Sequence, residues 1–222
     1  MPYAMKDRAI HSVINILRRA TREWQTPYVT ELSHRQRAPF HILMSTLLSL
    51  RTKDAVTAAA SQRLFARGDT PATILKLTPR QIEKAIYPVG FYRVKARTLR
   101  RVCRVLIEQH AGHVPDEIDA LVKLPGVGRK TANLVVTLGF GKPGICVDTN
   151  VHRITNRWGY VHTKTPEQTE MALRAQLPAA YWIEINDELV ALGQNVCHPT
   201  SPKCSICPIP PYCDRVGVTR SR

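Results

Sequence analysis

The chain has 222 residues, of which 44% are hydrophobic, and its 32 lysines and arginines against 17 acidic residues give a formal net charge of +15. This hydrophobic content supplies the core of one large domain or two smaller ones, which excludes disorder as the main state. Arginine outnumbers lysine, and the planar guanidinium pairs with phosphate oxygens better than an ammonium does. The charge therefore favours a nucleic acid as partner over an anionic lipid or no partner at all.

The longest apolar run, at 42–50, is interrupted by Ser45, Thr46 and Ser49 and is much shorter than the roughly 20 residues of a membrane span. No membrane association is expected. The first 24 residues mix arginines with acidic residues, which predicts a helix rather than a targeting peptide. Because no extension precedes that helix, we expect a prokaryotic, cytoplasmic and nucleoid-associated protein. We also expect a monomer.

Helical periodicity dominates the rest of the chain and predicts an all-α fold. Three Thr-Pro pairs, at 70–71, 78–79 and 165–166, predict helix starts, and Gln81 and Gln168 would complete capping boxes at the last two. The only extended stretch, 144–147, is too short to found a sheet. Further helices are expected at 6–23, 39–50, 53–66, 92–110, 116–123, 129–139, 149–157 and 181–193. Breaks are expected at 24–39, 87–91, 111–116, 125–128, 139–144 and 198–211.

Four of the six cysteines stand near the end of the chain with the spacing C-x6-C-x2-C-x5-C. They are Cys197, Cys204, Cys207 and Cys213, and the loop that carries them is rich in proline. Four thiolates in such a loop indicate a metal site, either one zinc ion or a [4Fe–4S] cluster, with free or disulfide-linked cysteines as the alternative. The single tight CxxC pair favours iron and sulfur slightly, since zinc ribbons usually carry two such pairs.

The segment LPGVGRKTAN, at 124–133, joins two helices through a Gly-x-Gly turn typical of a helix-hairpin-helix. Gly126 and Gly128 would allow positive φ values and a close approach of the backbone around Val127 to a ligand. The amides that open the next helix would face an anion such as a DNA phosphate. An ordinary connection between two helices is the alternative.

Lys130 follows Arg129 in the first turn of that helix, where the helix dipole and the neighbouring cation both favour a neutral amine. A lysine in this position can act as a nucleophile, although most lysines of basic proteins are surface phosphate contacts. The segment VDTNVHR contains Asp148 at a predicted helix start. Asp148 is accordingly a candidate both for a catalytic carboxylate and for a helix cap.

Three motifs together, LPGVGRKTAN, VDTNVHR and the cysteine spacing, resemble the endonuclease III family of helix-hairpin-helix DNA glycosylases. The likeness extends through 47–54 and through Gly90-Phe91-Tyr92 with Lys95-Ala96, and so covers most of the chain from about residue 30. It implies a six-helix domain at 32–145 and a second lobe formed by 1–31 with 146–222. It also implies a [4Fe–4S] cluster held by the four cysteines, which positions a basic loop.

The resemblance implies base-excision repair of double-stranded DNA that carries a damaged or abasic site. Lys130 would attack the sugar of a flipped nucleotide and Asp148 would stabilise the charge that develops there, giving a bifunctional DNA glycosylase and AP lyase for oxidised pyrimidines. The same scaffold could instead serve a mismatch or alkylated-base glycosylase. A DNA-binding helix-hairpin-helix module without catalytic activity is the third possibility.

Two of the residues expected to contact DNA depart from the family's pattern. Arg51 stands where relatives usually carry glutamine, and Asn150 stands where many carry histidine. Phe91 resembles the apolar wedge that fills the gap left by a flipped nucleotide, with a core aromatic as the alternative. Together with Gly126, Val127, Gly128 and Arg129, these residues form the expected DNA-contact set.

Overall fold

The computed structural model describes residues 3–24, 27–35 and 38–222, and this part of the chain contains helices and no β-strand. The predicted all-α class is confirmed. No helix in these ranges is long and apolar enough to cross a membrane. The α-helices are α1 (Tyr3–Thr21), α2 (Tyr28–Arg35), α3 (Pro39–Ser49), α4 (Asp54–Phe65), α5 (Pro71–Lys76), α6 (Pro79–Ile86), α7 (Tyr92–His110), α8 (Ile118–Leu121), α9 (Arg129–Leu134), α10 (Thr149–Trp158), α11 (Pro166–Gln176) and α12 (Ile185–Asn195).

The three Thr-Pro pairs open helices α5, α6 and α11, as predicted. At α6 the reciprocal capping box with Gln81 is complete. At α11 the Thr165 hydroxyl accepts the Gln168 amide, but the Gln168 side chain accepts the amide of Lys164 instead of Thr165. The predicted capping box at α11 is therefore only half formed.

The predicted break at 24–39 is wrong where helix α2 forms within it. Residues 25, 26, 36 and 37 of that range lie outside the described part. Val29, Thr30 and Ser33 are buried on one face of α2. Its first amide, on Tyr28, donates to the carboxylate of Asp54 at 2.8 Å. Because this partner stands on α4, far along the chain, the local sequence gives no sign of it.

Two smaller differences concern the ends of predicted elements. The helix expected at 181–193 begins later, at Ile185, because Ala179–Tyr181 form a separate 3-10 turn. The helix expected at 129–139 changes at Val135 into a π-helical turn that runs to Gly139. Residues 144–147 join no strand and are buried.

The chain divides into two compact units, of which the first is Pro27–Lys142. It carries eight α-helical segments in its described residues, α2–α9, where the resemblance implies six; α5, α8 and α9 are the short ones. Helix α3 is buried on nearly all sides, from Ile42 to Leu48. It packs with Leu99, Val102 and Leu106 of α7 in one hydrophobic core. A central apolar helix of this kind holds the surrounding loops at fixed positions.

The second unit combines Met1–Thr26 with Pro143–Arg222. Its core joins Ile10, Ile14 and Leu17 of α1 to Ile154 of α10 and Leu189 of α12. Arg18 of α1 also forms a salt bridge with Glu184. The first helix of the chain is thus part of the core that supports α10 and the cysteine-containing loop.

Candidate functional site

The turn between α8 and α9 is built by three residues with different roles. Gly126 has a φ of +76°, which glycine adopts without strain. Val127 is buried, and its amide donates to the carbonyl of Leu124 at 3.1 Å. The side chain of Val127 therefore anchors the turn in the core, and its amide is used within the turn.

Gly128 does not have the positive φ that the sequence led us to expect. Its φ is −94°, and a Cβ built on it would meet no atom within 4 Å. Gly128 is also exposed. Neither backbone strain nor packing requires glycine here, so what glycine provides at this position is open space beside the first amides of α9.

Lys130 lies in the first turn of α9 and is exposed, while Arg129 beside it is half-buried. The next three residues, Thr131, Ala132 and Asn133, are buried. Since they turn the other side of α9 toward the core, Lys130 faces away from it. The amine therefore stands directly after the open turn at Gly128.

Asp148 is the N-cap of α10. One carboxylate oxygen, Oδ1, accepts the amides of Asn150 and Val151 at 2.8 and 2.9 Å. The other, Oδ2, accepts the side-chain amide of Asn150 at 3.0 Å. Asp148 is half-buried, and these three donors hold both carboxylate oxygens in place.

Asn150 is held in turn by Arg153, one turn further along α10. A guanidinium nitrogen of Arg153 donates to Asn150 Oδ1 at 2.8 Å and to the carbonyl of Cys197 at 2.8 Å. A Cβ on Gly193 of α12 would lie 2.4 Å from Asn150 Oδ1. Only glycine at this position leaves room for the side chain of Asn150. The structure thus places Asn150 as a partner of Asp148.

Arg51 and Phe91 come together on the surface of the 27–142 unit, on two loops far apart in the sequence. Phe91 is 62% exposed, which excludes the alternative that it is a core aromatic. Arg51 is exposed as well, and its guanidinium carbon lies 5.8 Å from the centre of the Phe91 ring, within the range of a cation–π contact.

The four C-terminal cysteines are free thiols that are all partly exposed, whereas Cys103 and Cys146 are buried. Burial raises the pKa of Cys207 and of Cys213, and the neighbouring thiols of the loop raise it further. The loop is fastened to the end of α10 by Arg157, which donates to the carbonyl of His198 at 2.7 Å.

The spacing of these thiols bears on which metal group they suit. The other thiols contribute to the raised pKa of Cys207 and of Cys213, so the four side chains lie near one another in the loop. Thiolates on one zinc ion each lie about 2.3 Å from it, in a small tetrahedron. A four-iron cluster takes one thiolate per iron and spreads them more widely. The four thiols supply the donor set that either group requires.

Sequence reasoning did not identify Lys95 as a functional residue. Burial lowers its pKa to about 8. Its Nζ donates to the carbonyls of Leu48 and Leu50, at 2.8 and 2.5 Å, and to the hydroxyl of Thr52 at 3.1 Å. The sequence gives only the lysine's position in the GFYxxKA segment, not the carbonyls that surround it.

Comparison with known proteins gives the family. Residues 44–179 match the model of the HhH-GPD superfamily base excision DNA repair protein. Endonuclease III of Thermotoga maritima is 45% identical over 182 residues, which is 82% of this chain and 85% of the relative. The chain therefore belongs to the endonuclease III family.

Solved structures of endonuclease III and of one further glycosylase resemble this fold. A trapped covalent intermediate of endonuclease III with DNA, an estranged-adenine complex, aligns with a TM-score of 0.83 and 32% identity over 94% of this chain and 96% of the other. A thermostable thymine-DNA glycosylase aligns with the same TM-score of 0.83 at 26% identity, over 97% and 98% of the two chains. Members of the endonuclease III family are DNA glycosylases with AP lyase activity in base-excision repair, and this protein is such an enzyme.

Alanine substitutions should distinguish Gly126, where the backbone is left-handed, from Gly128, where glycine only leaves space free. We expect Gly126→Ala to lower the free energy of unfolding by about 1–2 kcal/mol, because it forces an L-residue into the left-handed region. Gly128→Ala should change it by less than about 0.5 kcal/mol, because nothing contacts the added methyl. Urea unfolding of both variants measures this, and an equal loss in the two would contradict the described geometry.

Proposed function

We propose that the protein removes oxidised pyrimidines from double-stranded DNA and cuts the strand at the resulting site, with Lys130 as nucleophile and Asp148 as the supporting carboxylate. The observation that carries this is the position of Lys130. It faces outward in the first turn of α9, directly after the open hairpin turn. An amine beside helix-opening amides that can accept a phosphate would be able to reach a sugar of the same strand.

The hairpin would hold the DNA backbone near the damaged nucleotide. Gly126 and Gly128 have no side chains and the side chain of Val127 between them is buried, while Arg129 adds positive charge beside the turn. A phosphate accepted by the first amides of α9 would gain from the helix dipole as well as from hydrogen bonds. Contacts of this kind bind a duplex without reading its sequence.

Lys130 would act as a neutral amine. Its nitrogen lone pair forms a bond to C1′ of the flipped nucleotide, and the glycosidic bond breaks as the base departs with that bond's electrons and gains a proton. Opening of the sugar then leaves an iminium between the lysine and C1′. A water nucleophile gives no such intermediate, so the lysine distinguishes a lyase from a simple glycosylase.

Asp148 would contribute as a fixed negative charge. Positive charge develops on the sugar as the base leaves, and an ionised carboxylate stabilises it. The three donors around Asp148 hold both of its oxygens in place.

Strand cleavage follows from the iminium. It makes the proton on C2′ acidic, and loss of that proton drives the electron pair into a new double bond while the 3′ phosphate leaves. This β-elimination cuts the strand 3′ to the lesion and consumes no cofactor. Hydrolysis of the remaining iminium returns the free lysine.

Arg51 and Phe91 would occupy the duplex where the flipped nucleotide has left a gap. The exposed ring of Phe91 can stack on a base, and the guanidinium of Arg51 offers only donors. Asn150, in contrast, would act on DNA indirectly, since its side chain is bonded to Asp148 and Arg153.

We infer a [4Fe–4S] cluster held by Cys197, Cys204, Cys207 and Cys213. The cluster would tie the loop into a fixed shape and take no part in the bond-making steps. Thiolate ligands must lose their protons, and the raised pKa of Cys207 and Cys213 means that assembly releases protons and is favoured at higher pH.

A second candidate function is removal of a mismatched base. It is favoured by the likeness to the thermostable thymine-DNA glycosylase, which covers 97% of this chain. Such an enzyme would use the same hairpin and the same carboxylate. Activity on a duplex with a mismatched thymine, and none on one with an oxidised pyrimidine, would favour this candidate.

Borohydride trapping tests Lys130 as the nucleophile. With abasic-site DNA the wild-type protein should form a covalent adduct, because the reductant converts the iminium to a stable amine. Lys130→Ala should form none, and Lys123→Ala, which changes an exposed lysine before the turn, should form as much as wild type. No adduct with the wild-type protein would refute the lyase mechanism and leave a DNA-binding module without catalytic activity.

Asp148→Asn tests whether charge, rather than capping, is what matters at this position. Asparagine caps a helix about as well as aspartate, so the free energy of unfolding should change by less than about 0.5 kcal/mol. Base removal should slow by about 10²–10⁴-fold because the negative charge is lost. Single-turnover kinetics measure this, and near-normal rates would rule out the proposed role.

The purified protein should be brown, with four iron atoms and four sulfides per chain, as the cluster formula requires. A chelator that removes the iron should release the loop and weaken DNA binding with it. Cys204→Ala should lower the iron content, whereas Cys103→Ala, at a buried cysteine remote in sequence, should not. A colourless protein that contains one zinc ion would refute the assignment.

A further inference from the structure

Two loops of the 27–142 unit meet at Arg51 and Phe91, and both residues have a left-handed backbone. Their φ values are 53° and 57°. Residues other than glycine adopt this conformation at a cost, and such strain is found where a function requires it. Here both strained residues carry large exposed side chains, and these two side chains contact each other.

Gly90 shows how closely the two loops approach. A Cβ on Gly90 would lie 2.6 Å from the backbone oxygen of Arg51, which is too close for any side chain. The contact is between main chains, so a shift of one loop must move the other. The position of Phe91, the next residue, therefore depends on the position of Arg51.

Lys95, on α7, forms hydrogen bonds with the segment that carries Arg51. Its three acceptors are the carbonyls of Leu48 and Leu50, at the C-terminal end of α3, and the hydroxyl of Thr52. Helix α3 has no basic residue in its last turn. A cation from α7 thus supplies the positive charge that the exposed carbonyls at a helix C-terminus favour.

Thr52 extends the connection to the second loop. Its hydroxyl oxygen accepts Lys95 Nζ at 3.1 Å and the amide of Gly90 at 3.1 Å, and the hydroxyl donates to the Leu50 carbonyl at 3.3 Å. Every bonding position of this hydroxyl is used. One ammonium and one hydroxyl accordingly fix the residues on both sides of Arg51 and the residue before Phe91.

Lys95 is an unusual choice if stability alone matters. It is half-buried, and no carboxylate in the described residues forms an ion pair with it or raises its pKa, which burial lowers to about 8. Burying a cation without an opposite charge is unfavourable. An apolar side chain would avoid that penalty but leave these acceptors without their donor, so the role of the lysine is to hold the three acceptors together.

We propose that Lys95 is a positioning residue that holds Arg51 and Phe91 together as one preformed unit for entry into duplex DNA. The inference rests on the proposed function, in which that pair fills the gap left by the flipped nucleotide. Lys95 acts through the pair and takes no part in bond breaking. Its effect should therefore appear with duplex substrates, which must be opened, and not with single strands.

Lys95→Met tests this with two substrates, a duplex and a single-stranded oligonucleotide that each carry an abasic site. Methionine keeps the length of the side chain and removes the three donors. Cleavage of the duplex should slow by up to about 10²-fold, the loss expected when positioning is disturbed, while cleavage of the single strand and its borohydride adduct should match wild type. Lys84→Met, at an exposed lysine of α6, should leave both substrates unaffected.

A double variant shows whether Lys95 acts through Phe91. If it does, Lys95→Met combined with Phe91→Ala should cleave the duplex no more slowly than Phe91→Ala alone.

Lys95→Arg should restore part of the activity, and Thr52→Val should reproduce the duplex-specific loss if Lys95→Met does not fold. Equal losses on duplex and single strand, or fully additive losses in the double variant, would overturn the proposal. A wild-type protein without any borohydride adduct would instead refute the proposed function.

Discussion

The carboxylate of Asp148 at the start of α10 is the interaction on which the functional part of the second unit depends. A helix N-terminus leaves amides without partners, and this one is completed by the same group that is proposed to stabilise charge in the reaction. Helix α10 then carries Arg153 and Arg157, which fasten the cysteine-containing loop through carbonyl contacts. One carboxylate therefore sets the helix that links the proposed catalytic group to the proposed cluster.

Much of the fold follows from local sequence, because its causes are local. Thr78 and Gln81 stand three residues apart and complete a capping box, so the start of α6 could be read directly. The start of α2 could not, because its cap is Asp54 on another helix. Gly128 shows the same limit: the sequence identifies a glycine, whereas only the structure distinguishes open space from a left-handed backbone.

Some residues of the candidate site could likewise be predicted from local sequence, and others could not. Lys130, Asp148 and the four cysteines could be proposed from motifs, since the chemistry expected of them depends on residue type and short spacing. The arrangement around Arg51 and Phe91 could not, because it requires Gly90, Thr52 and Lys95 to meet across two loops and two helices. Contacts between residues distant in sequence leave no periodic or capping pattern.

Lys95 and Lys130 are two lysines of opposite character, and this makes the central claim open to a direct test. Burial lowers the pKa of Lys95 to about 8, but its amine is surrounded by carbonyls, whereas Lys130 is exposed beside the open turn. Mass-spectrometric mapping of the borohydride-reduced adduct would identify the residue joined to DNA. The proposed mechanism predicts the sugar remnant on Lys130, and an adduct on Lys95 or on any other amine would contradict it.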